Sequence, residues 1–468
     1  MAFLNINESG YELLFALLYF LLVYSCFSLL LFVARKAFVL IILLASTLSF
    51  YFINSYGVIV NDEMLQNAAQ TDIKEVSELL NSDFFLYIFL FFIIPGVVLL
   101  YVNLKKLSFK LYVSNALVAV VLLFATLFSS SQFLLPFLRQ NDTIRFYNIP
   151  FYQFYSAYKY LNQSLSEEKT LKLLAKPLLA SKKENMILVL VVGETARAAN
   201  YSLGSYENND TNFFIKKHEP YYFSNFYSCG TATARSLPCM FSHLKRKDFY
   251  DAQNYENLVD LVANFYEVEW LDNNSGGCKG VCSRVKNTEK SEDYDAWLFE
   301  EAKLKIIDAK ASKLLVIHVQ GSHGPAYYKR YPSSFAKFLP ECKTSKLELC
   351  TSEEIANSYD NSLLYTDFLL ADLIDALKSK EGFQSALFYL SDHGESLGEN
   401  GIYLHGLPYS LAPNYQKHIP AIFWSNFLEI KAQKLDKSYS HDNLFSSILG
   451  LFGMEHEFYE KDLDIFAQ

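Results

Sequence analysis

The chain has 468 residues, 51% of them hydrophobic and 16% aromatic, with a formal net charge of -9 and seven cysteines. A chain this long and this apolar buries a large core, which excludes intrinsic disorder. Its acidic balance argues against nucleic acid as a partner.

Four apolar stretches of roughly 20 residues, the length that crosses a bilayer, come first: Tyr11 to Ala34, Ala37 to Tyr56, Phe84 to Val102 and Leu111 to Ser130. No Lys or Arg precedes Arg35, so the first stretch lacks the basic start of a signal peptide and reads as a retained helix. Arg35 and Lys36 separate the first two stretches, and Lys105, Lys106 and Lys110 the last two. By the positive-inside rule both links are cytoplasmic. The N-terminus, the connector from Gly57 to Asp83 and everything after about Ser130 are therefore expected outside the membrane.

In the connector, NDEMLQNAAQTDIKEVSELLNSD, the polar residues Asn67, Thr71 and Glu75 recur every fourth position. That spacing puts them on one face of a short helix, which on pattern alone is a solvated face. From Pro136 to Ser181, segments such as FYQFYSAYKYL oppose an aromatic face to a polar one. This is expected as a bridge lying on the membrane surface, with a solvated linker as the alternative. The predicted domains are a transmembrane region, 1–135, with a helix near 61–83, a bridging segment, 136–181, and a catalytic domain, 182–468.

After Lys182 the pattern changes to short apolar runs, MILVLVV, VEWL, KLLVIHV, SALFYL and IPAIFW. Such runs read as buried parallel strands. Helical segments between them, such as SEEIANSYDNSLLYTDFLLADLIDALKSK, predict an α/β domain with helices on both sheet faces.

Three runs end in residues suited to chemistry, which in such sheets collects at the carboxyl ends of the strands. MILVLVV leads to Gly193, Glu194 and Thr195; KLLVIHV to Gln320, Gly321, Ser322 and His323; SALFYL to Ser391, Asp392, His393 and Gly394. Glu, Asp and His suit Zn²⁺ or a similar divalent ion. Singly, each has a structural reading, with Glu194 favoured by a helix dipole and Asp392 as an N-cap.

Six cysteines fall into three local pairs, Cys229 with Cys239, Cys278 with Cys282 and Cys342 with Cys350, while Cys26 lies in an apolar stretch. Pairing of this kind fits disulfides in an oxidising compartment. Half a zinc knuckle is the alternative for Cys278 and Cys282, but no second Cys or His pair has matching spacing. The first pair brackets a loop of hydroxyls, SCGTATARSLPCMFS.

VVGETAR, SCGTATARSLPCMFS, GCKGVC, HVQGSHGPAYYKRYP and SDHGESLGENGIYLHGLPY together resemble the lipid A phosphoethanolamine transferases, the family that includes the mobile colistin-resistance enzymes. The resemblance spans nearly the whole chain. It implies an N-terminal transmembrane helical bundle followed by a periplasmic α/β domain with an alkaline-phosphatase-like sheet. It further implies one tightly bound zinc held by Glu194, Thr233, Asp392 and His393, with Thr233 as nucleophile. Ser228, Thr231 and Ser236 are expected only to support the loop through local hydroxyl-to-backbone bonds.

By the same resemblance Lys279, His323 and His405 meet the substrate phosphate, and a second, weaker zinc is expected near His323 and His405. Asn67, Thr71 and Glu75 would line an ethanolamine pocket. The remaining His218, His243, His418 and His441 match no motif and receive a surface or structural reading. The implied enzyme is a multi-pass protein of the bacterial inner membrane, acting as a monomer. Its donor would be phosphatidylethanolamine and its acceptor lipid A, with polymyxin resistance as the consequence.

One departure is notable: family members usually have five spans and a cytoplasmic N-terminus, whereas four are counted here, the missing span being the first. A same-fold transferase acting on a core sugar, a protein or a glycerol-phosphate polymer is the nearer alternative, and a catalytically silent membrane sensor the more distant one. No C-x-P-x-R sequence marks a sulfatase.

Overall fold

The computed structural model describes residues 9–71, 73–103, 108–140, 142–165, 170–249 and 255–467. The chain divides into two compact units, one of residues 1–52 and 82–155, the other of 53–81 and 156–468. The connector thus packs with the catalytic part of the chain.

In the first unit the helical stretch Ser9–Tyr56 contains both of the first two expected spans. The rings of Phe27 and Phe38 nevertheless stand 5.6 Å apart. Eleven residues of straight helix would separate them by about 16 Å, so the axis turns sharply between them. Lys36 donates from Nζ to the Leu100 carbonyl (2.6 Å), while at the other end Phe50 and Tyr51 pack on Tyr87. The helices on either side of the connector therefore run antiparallel.

Three helices among the described residues are long and apolar enough to cross a membrane, Lys36–Tyr56, Ser82–Tyr101 and Phe109–Gln132; the described part of the first expected span, Leu13–Phe27, is shorter. Ser82–Tyr101 changes to π-helix over Ile88–Ile93, just before Pro95. Proline lacks an N–H and crowds the preceding turn, and a wider turn relieves this. The last helix continues past Ser130, through Pro136, to Gln140. Lys105 and Lys106 lie outside the described residues.

The second unit is built on a seven-stranded sheet, in the order Tyr221–Tyr222, Ala421–Ser425, Gln384–Ser391, Met186–Gly193, Lys313–His318, Glu267–Asp272, Lys286–Glu289. The five strands from Gln384–Ser391 to Lys286–Glu289 are parallel. Met186–Val192 are fully buried, as expected of strands covered on both faces. Each such Val, Leu or Ile contributes roughly 1.5–3 kcal/mol on leaving water.

IPAIFW corrects the all-parallel expectation, because Ala421–Ser425 pairs antiparallel with Gln384–Ser391. A parallel return needs a crossover of a dozen or more residues, usually a helix. Between the two strands lie only short strands and 3₁₀ turns, so the chain re-enters the sheet from the end it left. Ser352–Ser379 is the expected long helix, opened by a capping box of Thr351 and Glu354.

The connector also departs from expectation. Its helices are Asp62–Gln70 and Ile73–Leu79, and Thr71 between them has extended geometry. Asn67, Thr71 and Glu75 therefore do not share one continuous helix face. The Thr71 hydroxyl donates back to the Asn67 carbonyl (2.7 Å), satisfying an end carbonyl that further helix would have bonded.

Candidate active site

Register places the first two functional groups. Gly193 is the partner of Ser391, so Glu194 and Asp392 leave adjacent strands side by side. Asp392 accepts at Oδ1 from the backbone N–H groups of Thr195 (3.2 Å) and His393 (2.7 Å). Its Oδ2 is buried without a hydrogen-bond partner and lies 3.3 Å from His393 Nε2. The other ring nitrogen of His393, Nδ1, faces the Gly394 carbonyl at 3.0 Å. A carbonyl there fixes the proton on Nδ1 and leaves Nε2 as a free ligand.

Thr233 opens the helix Thr233–Met240, inside the loop closed by the Cys229–Cys239 disulfide. Its Oγ lies 3.0 Å from Glu194 Oε2 and 3.3 Å from His393 Nε2. His393 Nε2 is in turn 3.4 Å from Glu194 Oε1. Four ligands at about 2 Å from a tetrahedral ion sit about 3.3 Å from one another. The converging groups of Glu194, Thr233, Asp392 and His393 thus have the spacing of a zinc ligand set, and the unpartnered Asp392 Oδ2 is the group such an ion would satisfy.

The electrostatics agree. Burial and the adjoining Glu194 push the Asp392 carboxyl up, to about 6. Glu194 is equally desolvated, but the imidazoles of His393, His323 and His405 hold it down, at about 2. Two carboxylates sharing one buried site split in this way, one pushed up and the other held down.

The His405 ring lies tilted at 4.3 Å from that of His393, and His323 lies 5.3 Å from His405, measured between ring centres. The structure therefore brings both expected phosphate-side histidines to the four-residue cluster. Glu395 fixes His405 through Nδ1 (2.8 Å) and accepts from the Tyr327 hydroxyl (2.7 Å). Lys279 has a left-handed backbone, between Cys278 and Cys282, which form a disulfide as expected. Its Nζ donates to the Ser275 carbonyl (3.1 Å) and approaches that of Gln70 (3.4 Å), at the end of the first connector helix. Asn67 and Thr71 are half-buried on that connector, and the Glu75 side chain lies outside the described residues.

The third disulfide, Cys342–Cys350, closes a loop before the long helix. Ser228 donates to the Gly230 carbonyl, the local bond expected of it, whereas Thr231 donates to the Leu407 carbonyl and Ser236 to the Asp392 carbonyl, so these two hydroxyls tie the loop to distant segments instead of bonding within it. Sequence reasoning missed Asn274, whose amide donates to Glu194 Oε2 at 2.7 Å. It follows the strand Glu267–Asp272, so the strand-end rule applied to VEWL would have found it. His441 is buried, accepts at Nδ1 from the Cys229 N–H (3.0 Å) and reaches the Ser391 carbonyl through Nε2 (3.0 Å). Without a motif, nothing in the sequence signals that it ties the threonine loop to the sheet.

The N-terminal part, residues 14–165, matches the family model described as phosphoethanolamine transferase EptA/EptB, and residues 187–454 match the sulfatase family model. Phosphoethanolamine transferase EptA of Escherichia coli K12 is 36% identical over 460 residues, which cover 89% of this chain and 82% of that protein. The structure of the integral membrane lipooligosaccharide phosphoethanolamine transferase A from Neisseria meningitidis superposes with a TM-score of 0.87 at 32% identity, covering 93% of this chain and 87% of that one. The C-terminal periplasmic domain of phosphoethanolamine transferase EptC from Campylobacter jejuni is 50% identical, with a TM-score of 0.59 over 64% of this chain and 97% of that one. With the helical region, the sheet domain and the motif cluster all matched, the chain belongs to the phosphoethanolamine transferase family.

Proposed function

We propose that this enzyme moves phosphoethanolamine from phosphatidylethanolamine to lipid A by double displacement through Thr233. Convergence of the Thr233 hydroxyl with Glu194 and His393, at 3.0–3.3 Å, carries the reading. A threonine hydroxyl is a weak nucleophile near neutral pH. Zn²⁺ held by Glu194, Thr233, Asp392 and His393 would lower the pKa of that hydroxyl and draw charge from the phosphoryl oxygens.

In the first half-reaction Thr233 Oγ loses its proton and forms a bond to phosphorus. The bond from phosphorus to the glycerol oxygen breaks, and diacylglycerol leaves after taking up a proton. In the second, an acceptor phosphate of lipid A forms the new bond to phosphorus, the bond from phosphorus to Thr233 Oγ breaks, and Thr233 recovers its proton. Lys279, His323 and His405 oppose the phosphoryl negative charge and supply the leaving oxygen's proton. The connector residues Asn67, Thr71 and Glu75 hold the ethanolamine end. A second, weaker zinc at His323 and His405 is compatible with their neighbouring rings.

The three candidate membrane helices and the three disulfides support a multi-pass inner-membrane protein of a Gram-negative bacterium with its catalytic domain in the periplasm. Adding a primary amine to lipid A offsets surface charge, weakening attraction of cationic peptides such as polymyxins.

The test is incubation of the full chain and Zn²⁺ with phosphatidylethanolamine labelled in its ethanolamine. Diacylglycerol release, label on the Thr233 peptide and modified lipid A are expected. Thr233→Ala should lower transfer by roughly a thousandfold or more. Substantial residual transfer by that variant would remove the nucleophile assignment, and unmodified lipid A would remove the acceptor.

A further inference from the structure

Three loops that carry proposed substrate-side residues touch the connector. The Lys279 loop meets the Gln70 carbonyl, and Gly406 of the His405 loop faces Met64, whose sulfur a Cβ at that glycine would approach to 3.3 Å. The third contact is a buried ion pair. Glu78, on the helix Ile73–Leu79, has a side chain only 2% exposed, and its Oε2 lies 2.7 Å from Nη2 of Arg330, itself 4% exposed. Lys329 adds a weaker contact to Glu78 Oε1, at 3.3 Å.

Arg330 does more than neutralise Glu78. Its Nε donates to the main-chain carbonyl of His323 at 2.7 Å. The other side of the His323 loop is fixed by Asp295, which accepts from the N–H groups of Gln320 and Gly321 at 2.9 Å each. His323 is thus held between a sheet-side carboxylate and a connector-side guanidinium. A planar guanidinium can serve two acceptors from one rigid fork, which a lysine ammonium on a flexible stem cannot do. Desolvating two charges is costly unless their geometry is good and the remaining donors are satisfied. The His323 carbonyl accepts one such donor.

We infer that Arg330, braced by Glu78 of the connector, is a positioning residue for His323, so that docking of the connector sets the rate of phosphoryl transfer as well as the affinity for lipid. This rests on the role proposed above for His323. Displacing a catalytic group by about 1 Å costs up to about a hundredfold.

Two readouts on the full-length zinc-loaded protein test it. Arg330→Lys keeps a cation for Glu78 but loses the fork. It should lower kcat for phosphatidylethanolamine turnover roughly ten- to hundredfold, with zinc content and melting temperature close to wild type. In a His323→Ala background the same substitution should cost nothing more, because its effect runs through His323. Hydrogen exchange of the peptide spanning residues 320–331 should accelerate in Arg330→Lys and in Glu78→Gln, which strands the buried guanidinium, with residues 267–274 unchanged.

Wild-type kcat in Arg330→Lys, losses that multiply in the double variant, or unchanged exchange at 320–331 would each overturn the inference. If the wild type releases no diacylglycerol, the proposed reaction fails, and exchange still decides whether Arg330 holds the loop.

Discussion

The two ends of the proposed substrate site are built on opposite principles. At the phosphoryl end, Glu194, Asp392 and His393 follow neighbouring parallel strands and are fully buried; backbone groups orient Asp392 and His393, and the Asn274 amide meets Glu194. At the ethanolamine end, Asn67 lies on a helix of nine residues, and Thr71 stands between it and a helix of seven. Helices that short are not stable alone, and these are held by an N-cap from Asn61, an ion pair between Asp62 and Lys159 (2.7 Å) and the Glu78–Arg330 pair. Sheet register therefore fixes the proposed phosphoryl end, whereas tertiary contacts fix the proposed ethanolamine end. The first should fail abruptly when altered and the second by degrees.

After that of Thr233→Ala, the largest expected effect is at Asp392. Asp392→Asn keeps the Oδ1 acceptor for the Thr195 and His393 N–H groups and replaces the unpartnered Oδ2 with a neutral amide. Transfer should fall on the order of a hundredfold or more, and zinc should be lost from the purified protein. Chelation should lower the melting temperature of the wild type, since a ligand at a hundred times its Kd stabilises by about 2.7 kcal/mol. The variant should be insensitive to chelator. Retained stoichiometric zinc in Asp392→Asn would show that the strand-end carboxylates do not form the ion site.

A smaller effect is expected where the two ends meet. Gly276 has φ of +71°, and a Cβ there would overlap both the Gln70 carbonyl and the Lys279 ammonium. Gly276→Ala must push the Lys279 loop away from the connector. Transfer should fall roughly tenfold, mostly through KM, given that residues in the left-handed region cost about 1–2 kcal/mol without glycine. Zinc content should stay at the wild-type level, because no ligand lies on that loop. A drop in zinc would mean that the two ends are less independent than their construction suggests.

The same contrast explains what the sequence made legible. MILVLVV, KLLVIHV and SALFYL read correctly because strands covered on both faces must be continuously apolar, and the residues after them inherit a fixed place. Asn274 follows the same rule, but an amide is not among the metal-ligand types that drew attention to the other strand ends. The antiparallel direction of IPAIFW was hidden because it depends on the route of residues 392–420, where short elements share no period. The four-residue spacing of Asn67, Thr71 and Glu75 presumed one unbroken helix. The helix ends at Gln70 instead, and the Thr71 hydroxyl competes for the carbonyl of Asn67 in its last turn.

That competition supplies the smallest and most discriminating test. Thr71→Val preserves the β-branched shape suited to the extended geometry at this position and removes only the hydroxyl that bonds the Asn67 carbonyl. Because the site is half-buried, water can partly replace that bond, and the stability loss should be about 0.5–1.5 kcal/mol. If the hydroxyl also meets the ethanolamine headgroup, KM for phosphatidylethanolamine should rise about three- to tenfold, the effect of one lost hydrogen bond, with kcat unchanged. Thr71→Ser should restore both quantities. A lower melting temperature with an unchanged KM would assign the hydroxyl wholly to the helix end, and headgroup recognition would then rest on Asn67 and Glu75.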